Sequence, residues 1–193
     1  LDPGLTLIGV ELAERPADLP ATISWRSEPP DGLIALVVAN EWLDNIPVDV
    51  VEVSDDGTPR LVLVRPKTGE QTLGPAPTGA GARWLRRWWP LPATPGLRAE
   101  IGRSRDEVWA GVVRGLGAGS VAIAIDYGHE LAARPPGGTL TGFRQGRQVP
   151  PIPDGTCDLT AHVAFDSVAA AADSAGASSI RLTSQRAALL ELG

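Results

Sequence analysis

Two short apolar runs, Leu33–Ala39 (LIALVVA) and Val121–Ile125 (VAIAI), constrain the fold of this chain more than any other feature. Each is continuous rather than alternating, and each opens into polar and acidic residues, Asn40-Glu41 after the first and Asp126 after the second. Apolar residues at every position suit a strand buried on both faces, the environment of a parallel sheet covered by helices. Leu5–Leu12 (LTLIGVEL), which follows Leu1-Asp2-Pro3-Gly4, has the same character and ends near Glu11. Both runs fall far short of the roughly 20 residues a membrane span needs. The pattern is α/β, and 193 residues suffice for one domain with a substantial core. We read 1–193 as a single, partial domain.

Between the two runs the character changes. Val48–Ser54 and Arg60–Val64 flank Asp55-Asp56-Gly57-Thr58, which has the composition of a hairpin turn. A hairpin after a central parallel strand marks an insertion, placed at about 48–100. Residues 66–82, rich in Gly, Pro and Thr, read as an exposed loop. Arg83–Trp89 reads as a short helix ended by Pro90, Pro92 and Pro95, and Ser104–Leu116 as a longer one with Val108, Val112 and Leu116 on its apolar stripe. Ala21–Trp25, Ser120–Asp126 and Ser179–Leu182 are expected strands, and Leu159–Ala175 and Ser184–Leu192 expected helices.

Composition narrows the function. A net charge of -6 argues against a general nucleic-acid binder, because neutralising phosphates needs a basic surface. Cys157 has no partner for an internal disulfide, and with two histidines there is no metal-ligand cluster. With no basic head before an apolar run, a cytoplasmic location is expected. The chain has no methionine, even at position 1, so an N-terminal portion is expected to precede Leu1.

Several residue groups have chemistry to offer. Glu11 follows the first strand, where an acid can accept hydrogen bonds from ribose hydroxyls or simply be a solvated loop residue. The glycine-rich turn that lets a backbone approach such a cofactor is absent and would lie upstream of Leu1. Asn40-Glu41-Trp42-Leu43-Asp44-Asn45-Ile46-Pro47 leaves the LIALVVA strand at the sheet edge where α/β folds place ligands. On one helical turn Glu41 and Asp44 share a face, with Trp42, Leu43 and Ile46 behind them. That arrangement suits a cationic ligand, or equally an Asn N-cap with first-turn acids. Asp126-Tyr127-Gly128-His129 emerges at the same edge. Asp158 or Thr160 reads as a helix cap, with His162 a structural histidine. The Arg83–Trp89 stretch invites base stacking or a membrane interface; packing of its tryptophans beneath the hairpin is the simpler reading.

In order and wording these segments resemble the MidA-type methyltransferases, bacterial relatives of a mitochondrial complex I assembly factor. The matching pieces are GVEL at 9–12, ANEWLDNIPVDVVEV at 39–53, LRAEI at 97–101, AIDYGH at 124–129, GGTLTGF at 137–143, PDGTCDLTAHVAF at 153–165 and TSQRAALLELG at 183–193. The resemblance implies a Rossmann-like class I methyltransferase sheet, mostly parallel, with an inserted β-hairpin, and with the N-terminal strand and glycine loop absent. It implies S-adenosylmethionine (SAM) as cofactor and a protein arginine as acceptor, on a substrate such as a respiratory complex subunit. Carried over, Glu11 is the ribose-binding acid, and Asn40, Glu41 and Asp44 form the loop beside the reacting centre, Asn40 also contacting cofactor. Asp126, Tyr127, Gly138, Thr139, Asp158 and His162 match further family positions. The chain departs after Gly-Thr-Leu, where Phe143-Arg144-Gln145-Gly146-Arg147 stands in place of a histidine common among relatives. Two rival readings are a non-catalytic assembly factor that keeps the fold, and an NAD-dependent oxidoreductase. The latter accounts for Glu11 but not for the Asn-Glu-x-x-Asp loop.

Overall fold

The computed structural model describes residues 4–193; Leu1-Asp2-Pro3 of the expected opening loop lie outside the described residues. Three parallel strand pairs form the α/β part. β1 (Leu7–Val10) pairs with β2 (Ile23–Arg26). β3 (Leu36–Asn40) pairs in parallel with a strand far along the chain, Val121–Ile125, with Leu36 opposite Val121 and Asn40 opposite Ile125. Between them lies an antiparallel sheet built from β4 (Asp49–Val53), β5 (Pro59–Val64), β6 (Gln71–Leu73) and β7 (Arg98–Ile101), in the order β6-β5-β4-β7. The expected hairpin is thus half of a four-stranded sheet. β6 and the start of α1 (Gly79–Trp88) occupy much of the segment expected to be a loop.

The later elements are α2 (Arg103–Gly115), β8 (the Val121–Ile125 strand), β9 (Gly128–His129), β10 (Thr141–Arg144), β11 (Arg147–Val149), β12 (Asp158–Thr160), β13 (Val163–Ala164), α3 (Phe165–Ser174) and α4 (Gln185–Leu192). β9 pairs in parallel with β13, and β11-β10-β12 is a second antiparallel sheet. Instead of one mostly parallel sheet, the described residues form three parallel pairs and two antiparallel sheets. Ser179–Leu182 is irregular, not a strand. Asp158 and Thr160 belong to β12 and cap no helix; α3 begins only at Phe165. The reason is local competition: Asp158–Thr160 finds ladder partners on β10, and the Thr160 hydroxyl donates to a distant carboxylate (below).

Two cores hold these layers. Trp84, Leu85 and Trp89 of the Arg/Trp segment pack on Val51, Ala99 and Ile101 of the antiparallel sheet. The tryptophans therefore lie under the hairpin, as packing required. Leu43, Trp109, Val112, Val163, Val168 and Ala172 form the second core, against which Val37, Ala39, Ala122 and Ala124 of β3 and β8 pack. The buried stripe of α2 is Arg105, Asp106, Trp109, Ala110 and Val112, so the helix is rotated from its expected phase and Val108 is exposed. The other face of β3–β8 is open, with Leu36 67% and Val38 56% exposed beside Val121 and Ile123. Among the described residues no helix is long and apolar enough to cross a membrane.

Candidate active site at the strand ends

β3 and β8 end side by side, and the loops leaving them interlock. The Glu41 N–H donates to the Ile125 carbonyl at 2.8 Å, continuing the ladder by one residue. Glu41 then takes φ 47°, the left-handed region that a non-glycine residue seldom adopts. Residues 41–47 consequently form bends and turns, not the helical turn expected to align Glu41 with Asp44. Pro47 disfavours helix at Ile46, and Arg105 takes the carbonyls that a helix would need.

Arg105 organises the loop. Only 2% exposed, it donates to Asp44 O at 2.7 Å, Ile46 O at 3.2 Å, and Ala161 O and His162 O at 2.9 Å each. One guanidinium fork thereby ties the loop after β3 to the segment between β12 and β13. Burial lowers its pKa, and Asp126, Asp44, Glu100 and Asp106 oppose that shift; a guanidinium stays charged through such a shift. Arg105 went unremarked in the sequence. Its signal was an arginine at the head of the stripe that continues through Trp109 and Val112.

The acids around it diverge in role. Asp44 is buried; its Oδ2 accepts from Thr160 Oγ1 at 2.7 Å and its Oδ1 from Asn45 Nδ2 at 3.0 Å. Asp126 accepts from the Asp44 N–H at 3.1 Å and the Tyr127 N–H at 2.9 Å, and burial raises its pKa. Glu100, 3% exposed, accepts from the Thr139 N–H at 2.7 Å, the Leu140 N–H at 3.1 Å and Thr139 Oγ1 at 3.3 Å. Gly138 makes this nest possible: at φ 72° it turns the chain, and a Cβ there would lie 2.5 Å from Glu100 Oε1. Thr139 Oγ1 also accepts from the His162 N–H at 2.9 Å. Asp44, Asp126, Gly138, Thr139 and His162 are thus joined in one network through Arg105 and Glu100.

Other nominated residues stand apart from it. Glu41 and Asn40 are exposed, and their side chains have no hydrogen-bond partner among the described residues. Asp158 is exposed on β12. His162 is exposed, not a packed structural residue, and its ring stacks on Tyr127 at 6.2 Å between centroids. His129, beside Trp89 at 4.7 Å, receives a hydrogen bond at Nδ1 from Arg134 at 2.6 Å, which assigns its proton to Nε2. Burial, then Arg134 and His162, lower its pKa to about 4, so it is neutral near pH 7. Glu11 lies just beyond β1; Oε1 accepts from the Leu12 N–H at 2.6 Å and the Ala13 N–H at 3.1 Å. Its Oε2 accepts nothing among the described residues. An exposed, pre-oriented carboxylate with a free oxygen fits a sugar hydroxyl.

Parallel strands ending together in a polar, strongly networked loop cluster are the architecture of α/β enzymes that bind a nucleoside cofactor at the strand ends. The solved structures give that class a chemistry. A COG1565 superfamily member from Burkholderia thailandensis, crystallised with S-adenosyl-homocysteine, matches 81% of this chain at 27% identity and a TM-score of 0.64. A native structure of a COG1565 superfamily protein from the same organism matches 81% at 27% identity and a TM-score of 0.63. The chain spans 41% and 43% of those proteins' lengths. The model of the family described as "Putative S-adenosyl-L-methionine-dependent methyltransferase" matches residues 10–183, and the chain belongs to that family. No curated protein matches it.

Proposed function

We propose that this chain forms the acceptor side of a SAM-dependent methyltransferase acting on an arginine side chain of a protein. The observation that carries this is Glu41: an exposed carboxylate without an internal partner, held in an unfavourable backbone conformation where β3 and β8 end. Strain of this kind costs about 1–3 kcal/mol, and the interlocked loop maintains it. The MidA relationship and the Rossmann-like class I sheet belong to the same reading. So do an insertion at about 48–100, a cytoplasmic location and a respiratory-complex subunit as one candidate substrate.

When bound, SAM supplies a methyl group made electrophilic by its sulfonium. Glu11 would hold the ribose hydroxyls and Asn40 would contribute a polar contact at the end of β3. Glu41 grips a guanidinium by charge-assisted hydrogen bonds and aims one nitrogen along the line of attack. Transfer would exchange the donor's S–C bond for an N–C bond on the acceptor, with the electron pair staying on sulfur. Glu41 then accepts the proton that the methylated nitrogen sheds. Asp44, already holding Thr160 and Asn45, adds negative potential and fixes the loop. Orientation of this quality removes several kcal/mol of barrier, on the order of the effect of other positioned reactants.

The test is transfer of labelled methyl from SAM to protein, followed by amino-acid analysis. Label on methylarginine supports the reading; label confined to lysine, carboxylate or small molecules contradicts it. A non-catalytic assembly factor retaining the fold is the second reading. It is favoured by the β3–β8 face, where Leu36, Val38, Val121 and Ile123 form an apolar surface that no described residue covers. Calorimetry with SAM on this chain and on an N-terminally extended form separates the two: binding by neither favours the scaffold.

A further inference from the structure

The chain has one tyrosine and two histidines, and folding brings all three together beyond β8 and β12. Tyr127 and His162 stack with centroids 6.2 Å apart and planes inclined by 27°. His162 lies 6.3 Å from His129, whose ring meets Trp89 edge-on at 4.7 Å. Four rings thus form a row that starts in solvent and ends at a tryptophan of the closed core. The outer end is open: Tyr127 is 61% exposed even with His162 against it.

The backbone beneath the two outer rings is fixed. The Tyr127 N–H donates to Asp126 Oδ1 at 2.9 Å, and the Tyr127 carbonyl accepts from the Val163 N–H at 2.8 Å. The His162 N–H donates to Thr139 Oγ1 and the His162 carbonyl accepts from Arg105, both at 2.9 Å. By contrast, the Tyr127 hydroxyl and the His162 ring nitrogens have no hydrogen-bond partner among the described residues. Rigid main chain under uncommitted side chains is the condition of a preformed binding surface. Glu41 shares this end of the strands: its N–H bonds to the Ile125 carbonyl, two residues before Tyr127.

A guanidinium offers two recognition surfaces at right angles. Its N–H donors lie in the plane and suit a carboxylate, and its flat face suits an aromatic ring. The inner end of the row already holds one in this way. Arg134 is paired with Asp166 at 2.6 Å while its Cζ stands 5.4 Å from the Trp89 ring centroid. The outer end offers the same two chemical groups, Glu41 and Tyr127, and no described arginine pairs with the one or stacks on the other. We propose that Tyr127, backed by His162, is the ring on which the acceptor guanidinium stacks, and that this stacking selects arginine over lysine. The inference rests on the arginine-methylation reading and names the residues behind its choice of acceptor. A lysine ammonium can pair with Glu41 but has no flat face to lay on the ring, so it keeps only part of the grip.

The experiment titrates the intact protein with N-acetylarginine amide and, separately, with N-acetyllysine amide. Binding is read from the His162 ring proton resonances by NMR, assigned by their loss in H162A, and is independent of turnover. The wild type is expected to show saturable shifts, with about tenfold higher affinity for the arginine derivative. Y127F keeps the ring face and is expected to bind within about twofold of wild type. Y127A is expected to bind the arginine derivative about tenfold more weakly and to lose the preference over lysine. Its thermal midpoint should not move, because the side chain it removes is exposed and makes no hydrogen bond. Equal affinity of the wild type for the two derivatives overturns the stacking, as do unaltered binding by Y127A and the absence of any saturable shift. The two proposals fail separately. Methylarginine formed at equal KM by wild type and Y127A removes the stacking alone. Selective binding of the arginine derivative with no methyl on arginine removes the reaction alone.

Discussion

The antiparallel sheet and the β3–β8 pair are made from similarly apolar sequence yet end in opposite conditions. Val51, Ala99 and Ile101 are buried beneath α1, whereas Leu36, Val38, Val121 and Ile123 share a face that nothing described covers. The first region brings its own lid, α1, within about fifty residues, and its core takes only Ala164 from outside that stretch. The second buries only its α2/α3 face. Apolar continuity in a strand therefore announces two faces to be covered, not that one chain segment supplies both covers.

The difference predicts unequal costs. Trp84→Ala, which empties part of the closed core and leaves Asp106 with Ser167 as its remaining side-chain donor, should lose about 3–5 kcal/mol by urea unfolding. If the loss were below about 1 kcal/mol, the insertion would not be an independent core. Arg105→Ala cuts the fork joining the loop after β3 to residues 161–162 and leaves four carbonyls short of a donor. A destabilisation of about 3 kcal/mol is expected, with faster hydrogen exchange at Asp44 and Val163, whose amides are held in that network.

Acid sharpens the comparison because a buried and a half-buried group at the seam titrate in opposite senses. Asp106 bridges the regions, accepting from Trp84 Nε1 at 2.6 Å and Ser167 Oγ at 2.8 Å; burial nevertheless raises its pKa from 3.8 to about 6. Its contribution is full below pH 3.8 and is lost as pH rises through about 6. His129, lowered from 6.5 to about 4, contributes above pH 6.5 and loses that contribution as pH falls through about 4. In Asp106→Asn the stability between these limits should therefore fall on acidification more steeply than in wild type. His129→Gln should show the reverse change. Parallel pH profiles for all three proteins would refute the opposition. The smallest effect belongs to the open face: Leu36→Ser should stay within about 0.5 kcal/mol of wild type in this chain. A loss of several kcal/mol would mean that the face is covered.

The strands that carry the site were legible because LIALVVA and VAIAI are apolar throughout and each runs straight into polar residues. So was the hairpin, from its Asp-Asp-Gly-Thr turn, and α4, whose Ser184 caps it by accepting from the Ala187 N–H at 3.2 Å. β7 was missed as a strand because Arg98-Ala99-Glu100-Ile101 places a carboxylate where burial demands an apolar residue. The partners that make Glu100 tolerable are about forty positions away, at Thr139 and Leu140. Asp158–Thr160 was mistaken for a helix start because its deciding contacts lie outside the segment, on β10 and, 116 positions away, on Asp44. The spacing of Glu41 and Asp44 was real but the helix was not. What the sequence nominated as a carboxylate pair is one committed acid and one uncommitted acid.

That last distinction is the centre of the account, and single-turnover methyl transfer by Glu41→Gln in the N-terminally extended protein tests it most directly. We predict a fall of at least a hundredfold in the transfer rate with SAM affinity within twofold of wild type, because the side chain grips the acceptor and not the cofactor. An undiminished rate at saturating acceptor would contradict it.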